Sequence, residues 1–535
     1  MADDLMIESP HITLADKIFR NTFFNIIGRL WGMIVLFLLT PYVVGKIGIE
    51  RYGVWAIIGA FTGYFGLLDF GLKNSFKKYI AEFNAKDDRE TVNKIINTGF
   101  VFYALLSLIL IASSYVFIKP IIGFFNIPSH LYEETAFVFF LGIVLFGVIN
   151  TLNPFESVQI GLQRFDINNI LSIICMTLSA FGTIFFLEAG YGLTGLMLNN
   201  VIIAAIRGAI SFIIAFRIYP YFRFNPIKFD AGIFKKLFDF GYKMQITSVA
   251  NIFAHQTDKV LITYFLSVSL VSFYHLGCSI IHYLMVIPNL LSSALMPAFS
   301  DVEARGQREK LISIHNRCTK YISFVVVPMF VFAIVISDHF MKMWMGPGYE
   351  TSGYVIRILA VGWLFNALAV VSVSTCMAIN KPHFMSISAA IMVCVNVFLS
   401  IILIKLFGFY GSPWGTTFAV GIGTMIFIVL LHRELKIAVF DFFRVTLPYG
   451  AICIFAVLAY LLIEIVIGRV RVPQNRIVEL CVVLIHGICF SAVYLAGVFY
   501  AKIFDKVDIQ FVEHRIPYLY RLLNKIDTAF SQMRS

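Results

Sequence analysis

Residues 251–265 read NIFAHQTDKVLITYF, an apolar segment whose first half is crowded with polar and charged side chains. The surrounding chain has 535 residues, of which 59% are hydrophobic and 14% charged, whereas soluble domains average about 25% charged residues. A charge near the middle of a bilayer costs roughly 2.5–3.5 kcal/mol, so such residues normally face a bundle interior or a hydrated cavity. The segment therefore predicts a membrane protein whose helices surround a polar interior.

Apolar runs long enough to cross a ~30 Å hydrocarbon core recur along the whole chain. They predict an all-α polytopic membrane protein, because a helix satisfies its backbone hydrogen bonds within one segment. The runs are also longer than the roughly ten residues of a barrel strand. The fourteen predicted spans are 20–45, 50–72, 93–118, 132–152, 169–188, 192–216, 240–265, 271–297, 318–340, 351–378, 384–406, 411–432, 444–467 and 477–500.

Lysine and arginine set the predicted orientation, since they collect in cytoplasmic loops. With the N-terminus inside, thirty of the 42 Lys and Arg residues fall in cytoplasmic segments and eight in the opposite loops. The first sixteen residues have no apolar core, so no cleavable signal is expected. We therefore expect a multi-pass protein of the cytoplasmic (inner) membrane with both termini cytoplasmic. The net charge of +11 then reflects topology and contact with anionic membrane lipids, not nucleic-acid binding.

A faint internal repeat divides the spans into two groups of six. YVVGKIGIERYGVW (42–55) resembles YFLSVSLVSFYHLG (264–277) at an offset of 222 residues. Two pseudo-symmetric six-helix bundles are expected, since six spans return the chain to the same side of the membrane. The predicted regions are a cytoplasmic N-terminus (1–19), an N-lobe (20–216), a cytoplasmic linker (217–239), a C-lobe (240–432), spans 13 and 14 (433–500) and a cytoplasmic amphipathic tail (501–535).

Polar residues at bilayer depth are the candidate functional residues, and several share one helical stripe at spacings of three or four residues. We interpret as substrate-binding cavity residues Asn25, Arg29, Arg207, Asn251 and Lys259. The gate or coupling candidates are His255, Asp258 and His282, since histidine changes protonation near neutral pH. A structural ion pair within one half is the alternative for the charged residues, and a hydrogen-bonded packing role is the alternative for the histidine of span 8.

Sequence motifs for catalysis or metal binding are missing. The chain has no G-x-S-x-G, no Walker motif and no zinc-ligand spacing, and its eight cysteines fit apolar packing positions. We therefore expect a non-enzyme without catalytic residues, metal or other cofactor. Its energy would come from an ion gradient, with H+ or Na+ as the candidate coupling ion, from the membrane potential, or from the substrate gradient.

Several segments in order resemble one known family. GIERYGVWAIIGAFTGYFGLLDFGLKNSFKKYIAEF (48–83), NPFESVQIGLQRFDINNI (153–170) and TDKVLITYFLSVSLVSFYHLG (257–277) are followed by MPAFSDVEARG, MWMGPGYE and AINKPHF. This series is similar to the polysaccharide transporter family of the multidrug/oligosaccharidyl-lipid/polysaccharide superfamily, the Wzx-like flippases. The resemblance covers roughly residues 15–430, and Asp258 stands at the position of an aspartate of that family.

The resemblance implies two six-helix bundles arranged as a V around a central cavity, as in the multidrug exporters of the superfamily. It implies translocation of a polyprenyl-diphosphate-linked oligosaccharide, a repeat unit of O-antigen, capsule or exopolysaccharide, from the inner to the outer leaflet. A polysaccharide polymerase and export machinery are the implied protein partners. The alternatives are a drug/cation antiporter of the same superfamily, which would need acidic cavity residues, and a non-transporting scaffold of a polysaccharide export complex.

Overall fold

The computed structural model describes residues 14–468 and 475–503. It describes the backbone alone at residues 14–26, 244, 246–248, 250, 251, 293, 294, 467 and 468. Within these ranges the chain is helical throughout, with short turns between helices and no β-strand. The predicted tail 501–535 lies almost wholly outside the described residues.

The helices follow one another in the order of the predicted spans. They are α1 (Leu14–Phe65), α2 (Leu72–Ala85), α3 (Arg89–Gly123), α4 (Tyr132–Gly161), α5 (Phe165–Glu188), α6 (Gly192–Ile218), α7 (Ala231–Phe265), α8 (Val268–Ala304), α9 (Arg308–Trp344), α10 (Glu350–Leu368), α11 (Val370–Ala378), α12 (His383–Phe407), α13 (Gly411–Leu435), α14 (Val439–Gly468) and α15 (Arg476–Tyr500). Short 3-10 turns at Gly66–Asp69, Ser129–Leu131 and Gly408–Tyr410 complete the order.

The expected all-α polytopic fold is confirmed. Eleven helical segments of the described chain are long and apolar enough to cross a membrane. Two of them, Ile27–Asp69 and His383–Leu435, each cover most of two predicted spans, whereas the predicted span 240–265 lies in α7, which is not among the eleven. Gly48 separates the first two spans inside α1, where its φ of 81° interrupts the helix. The orientation of the termini stays a prediction.

One compact unit combines the chain up to Leu276 with Ala389–Gly415. Its core gathers at one end of α2, α3, α4 and α6, where large apolar and aromatic residues are fully buried. Amphipathic α2 buries Leu72, Phe76 and Ile80, which recur every four residues on one face. Glycines opposite them allow this close packing, because a Cβ on Gly99 would meet the Phe76 ring.

The second compact unit comprises Gly277–Ser388 and the chain from Thr416 onward. In it α14 and α15 pack on α9 and on each other. His339 of α9 lies between two carboxylates, with Nδ1 2.8 Å from Glu479 and Nε2 3.1 Å from Glu464. The buried His486 lies 3.3 Å from the same Glu464. Polar contacts thus attach the two C-terminal helices, while the lobe boundaries drawn from the sequence stay predictions.

Candidate functional site

A cavity of about 440 Å³ lies between α4, α5 and α6 in the first unit. Its wall is mostly apolar, with polar groups on one side. Those polar lining residues are Glu156, Ser172, Ser179, Asn200, Arg207 and Ser211. A concave, mainly apolar site with a few converging polar groups is the usual form of a ligand pocket.

Arg207 is the cation of this cavity. Its Nη2 donates to Glu156 Oε1 at 2.7 Å, and its Nη1 lies 3.5 Å from Ser172 Oγ. The side chains of Arg207 and Glu156 are 31% and 24% exposed, so the pair is reached from the cavity. The Nε–H of Arg207 is buried and has no hydrogen-bond partner among the described residues. An arginine has five donors, and here most of them are unused.

Local packing explains how α6 brings this arginine to α4. The next residue is Gly208, and a Cβ there would collide with Leu152 of α4. On the other side of α6, Asn199 donates to Ser179 O at 2.9 Å and holds α5. Close helix contacts at a small residue and an interhelical amide hydrogen bond are typical of packing between membrane helices.

A second polar cluster surrounds Asp258, which is 2% exposed. Tyr274 Oη donates to its Oδ2 at 2.7 Å, and Ser400 Oγ donates to its Oδ1 at 3.1 Å. Asn396 Nδ2 and Ser412 Oγ lie 3.4 and 3.5 Å from the same Oδ1. The carboxylate of α7 thus meets neutral donors from three other helices, α8, α12 and α13, at one buried point.

The remaining predicted residues lie elsewhere. Lys259 is 7% exposed and its Nζ donates to Gln256 Oε1 at 3.0 Å, whereas the nearby His255 is half-buried. His282 belongs to the second unit, with its ring centroid 6.4 Å from that of Trp363. Arg29 is exposed on α1 and is not part of the cavity wall.

The side chains of Asn25 and Asn251 lie outside the described residues. Of Arg29, Arg207 and Lys259, Arg207 alone lies in the wall of the cavity described above, and the convergence of all three on one chamber stays a prediction. The sequence analysis did not single out Glu156, Tyr274, Asn396 or Ser400. A signal existed for the last two, because they are polar residues four positions apart in an otherwise apolar span.

Two close contacts join α1–α2 to α7–α8, one at each end of α7. Near the end of α7, a Cβ on Gly53 would collide with Val268 O, and Ser272 Oγ donates to Ile49 O at 2.5 Å. These residues belong to the two segments that resemble each other in sequence, so the repeated segments pack against one another.

Near the start of α7, Gly71 has a φ of 70° and would collide through a Cβ with Gly241 O. Ser75 Oγ donates to Leu237 O at 2.8 Å beside it. Gln245 Nε2 donates to Gly66 O at 3.2 Å. Glycine is needed here both for the backbone conformation and for the approach of two backbones.

No group of three or more His, Cys, Asp or Glu residues with metal-binding geometry occurs in the part of the chain that is described. The cysteines in those ranges form no disulfide bond.

Comparison with known proteins agrees with this architecture. A relative from Shigella flexneri, named for O-antigen transport, is 22% identical over 403 residues, covering 74% of this chain and 93% of that protein. A probable low-salt glycan biosynthesis flippase of Haloferax volcanii is 22% identical over 410 residues, covering 76% and 82%.

Solved structures share the fold. The lipid II flippase MurJ in an inward closed conformation superposes with a TM-score of 0.71 at 17% identity, covering 91% of this chain and 99% of that one. A MATE transporter of Vibrio cholerae gives a TM-score of 0.57 at 13% identity, covering 79% and 97%. These relatives are transporters and flippases, in agreement with a protein that is not an enzyme. A model of the polysaccharide biosynthesis protein family matches residues 47–354, more than half of the chain, and the chain belongs to that family.

Proposed function

We propose that the protein is a flippase for a polyprenyl-diphosphate-linked oligosaccharide, which it moves from the inner to the outer leaflet. The repeat unit of an O-antigen, a capsule or an exopolysaccharide is the proposed cargo. The observation that carries the proposal is the half-buried Arg207, with unused donors, in the wall of a cavity between membrane helices. The named functions of the relatives support the same cargo class.

The diphosphate is the part of such a substrate that an arginine recognises best. A guanidinium donates two parallel hydrogen bonds to phosphate oxygens, and these charge-assisted bonds are roughly twice as strong as neutral ones. We propose that Arg207 makes this contact, and that Arg29 and Lys259 are further cations of the transport path. Ser172 and Ser179 in the same wall offer hydroxyl donors beside the arginine.

Alternating access requires one contact that closes the path toward each leaflet, and the two contacts must open at different times. The contacts at Gly53 and at Gly241 lie at opposite ends of α7, and both hold helices of the first repeat against α7 or α8. We propose that each opens in one half of the cycle, so that the transport path is open to one leaflet at a time. A side chain larger than hydrogen at either position would prevent closure at that end.

Asp258 is the proposed coupling residue, with His255 and His282 as the further candidates. A buried carboxylate held by hydroxyl and amide groups can accept a proton, and oxygen ligands of this kind suit a sodium ion. H+ and Na+ both remain candidates for the coupling ion. Transport by the purified protein in vesicles, with either gradient imposed alone, distinguishes them.

The test of the proposed function uses a strain that lacks the chromosomal gene and carries variants on a plasmid. R207A and R29A are expected to abolish surface glycan and to leave lipid-linked oligosaccharide on the inner leaflet, at unchanged protein level. R207K, which keeps the charge but loses the planar fork, is the matched control and should retain part of the glycan. Normal surface glycan in both alanine variants would contradict the proposed site.

The same variants address the alternatives. A drug/cation antiporter would export cationic dyes with R207A as well as with the unchanged protein, because an arginine does not attract a cation. A scaffold would support surface glycan regardless of the charge at position 207. The inner-membrane location with cytoplasmic termini, and the polymerase and export partners, belong to the proposal and follow from the flippase role.

A further inference from the structure

Glu156 is the structural feature that the proposed function leaves unexplained. A site that binds an anion gains nothing from a carboxylate, yet Glu156 Oε1 lies 2.7 Å from Arg207 Nη2 inside the same cavity. The carboxylate is also held in place from the other side, because Asn168 Nδ2 donates to the same Oε1 at 2.9 Å. It is therefore positioned on the arginine by a second hydrogen bond.

The ion pair changes what an incoming anion must do. An anion that binds Arg207 must displace the carboxylate of Glu156 from it. That carboxylate then remains in the partly buried cavity wall, with Asn168 as its hydrogen-bond donor. When an anion with one charge replaces Glu156, the arginine gains from it about the same Coulomb attraction that it loses from the carboxylate. An anion with a higher charge and more acceptor oxygens gains on the exchange, so the ion pair favours diphosphates over single phosphates.

This selection matters in a membrane. The headgroups of ordinary phospholipids carry a single phosphodiester and surround the protein in great excess. An unpaired arginine in a cavity open to lipid would bind them, and specificity is the difference between the affinity for the cargo and that for such competitors.

Resting on the proposed function, we propose that Glu156 is a specificity-determining residue: it holds Arg207 until a diphosphate displaces it, and so excludes lipids with a single phosphate. The cavity between α4, α5 and α6 is the place of the exchange. Asn168 positions the carboxylate both before and after the arginine leaves it.

The test measures binding of two probes with one tail to the full-length protein in phosphatidylcholine nanodiscs. The probes are farnesyl diphosphate and farnesyl methyl phosphate, a phosphodiester that carries one charge. The unchanged protein should prefer the diphosphate by about 100-fold, the ratio expected when only one probe overcomes the ion pair. E156Q should bind both probes more tightly, the phosphodiester most, so that the ratio falls to about tenfold or less. E156D, which keeps the charge, should keep most of the preference.

A ratio that is unchanged in E156Q would overturn the proposal. N168A is the second variant, because it retains both charges and removes only the hydrogen bond to Glu156 Oε1; it should lower the ratio about threefold. R207A separates the two hypotheses. If R207A abolishes surface glycan while E156Q leaves the ratio intact, the flippase site stands and the role of Glu156 is wrong. Normal glycan in R207A removes the proposed site itself, whatever the binding ratio.

Discussion

The two polar clusters of the first unit satisfy a membrane-embedded charge in opposite ways. Arg207 is partly exposed to a cavity and is matched by a carboxylate, whereas Asp258 is 2% exposed and receives hydrogen bonds from neutral hydroxyl groups. An ion pair beside a cavity is open to exchange with a charged ligand. A sealed carboxylate has room only for something as small as a proton or a metal ion. The contrast is the basis on which we propose cargo binding for the first cluster and ion coupling for the second.

The largest expected effect is that of D258A. Four polar groups around Asp258 would face a hole in a sealed site, which should cost about 3 kcal/mol of unfolding free energy and abolish transport. D258N, of nearly the same volume, should recover most of the melting temperature but no surface glycan. Thermal unfolding of the purified protein and glycan staining of cells measure the two effects. Normal glycan with D258N would show that the charge of Asp258 is not used.

Next in size is the exchange of charges between Arg207 and Glu156. R207E alone places two carboxylates together and should cost about 1–2 kcal/mol of unfolding free energy, which lowers the melting temperature by about 1–2 °C. The double variant R207E/E156R should restore the melting temperature, because an ion pair forms again. Surface glycan should stay below about a tenth of normal, since the cation now projects from α4 in place of α6. Restored export in the double variant would mean that the pair is structural.

Removal of single donors around Asp258 should reduce export less than the charge exchange does. Y274F deletes the 2.7 Å hydrogen bond to the Asp258 carboxylate and should cost about 2 kcal/mol of unfolding free energy. S400A deletes the 3.1 Å hydrogen bond to the same carboxylate and should cost about 1 kcal/mol. Both variants should transport more slowly. Their remaining activity should need a higher proton or sodium concentration than the activity of the unchanged protein does. Initial rates in vesicles at several proton or sodium gradients give this shift. If Y274F and S400A lowered the unfolding free energy equally, the length of each hydrogen bond would not predict its contribution.

The smallest effect is expected outside both clusters. Trp31 Nε1 donates to Thr177 Oγ1 at 3.0 Å between α1 and α5, at an exposed position. W31F removes this bond and should change the unfolding free energy by less than about 0.5 kcal/mol, with export within about twofold of normal. It is the control for loss of one hydrogen bond between helices. A large loss of glycan here would indicate that the α1–α5 contact has a role of its own.

Most of the fold was predictable from the sequence. Hydropathy predicted fourteen spans, and each of them falls on helical segments of the structure. The polar half of span 7 contains Asp258, which lies among other polar groups. The repeat between 42–55 and 264–277 pointed to two segments that contact each other at Gly53 and Val268. The sequence did not reveal the partners. Glu156 lies four residues beyond the predicted span 4, where a carboxylate is ordinary, and Tyr274 drew notice only as part of the repeated segment 264–277.

Apolar length, charge distribution and helical spacing are local properties, and they were sufficient to establish a helical membrane protein with polar stripes on particular helices. The identity of the group that meets each charge was decided only by the packing of helices far apart in the chain. Arg207 lies 51 positions from Glu156, and Asp258 lies 142 positions from Ser400. Whether a buried charge faces a carboxylate in a cavity or a hydroxyl in a sealed core depends on which helices touch, because the energy of the charge is set by its neighbours and not by its depth alone.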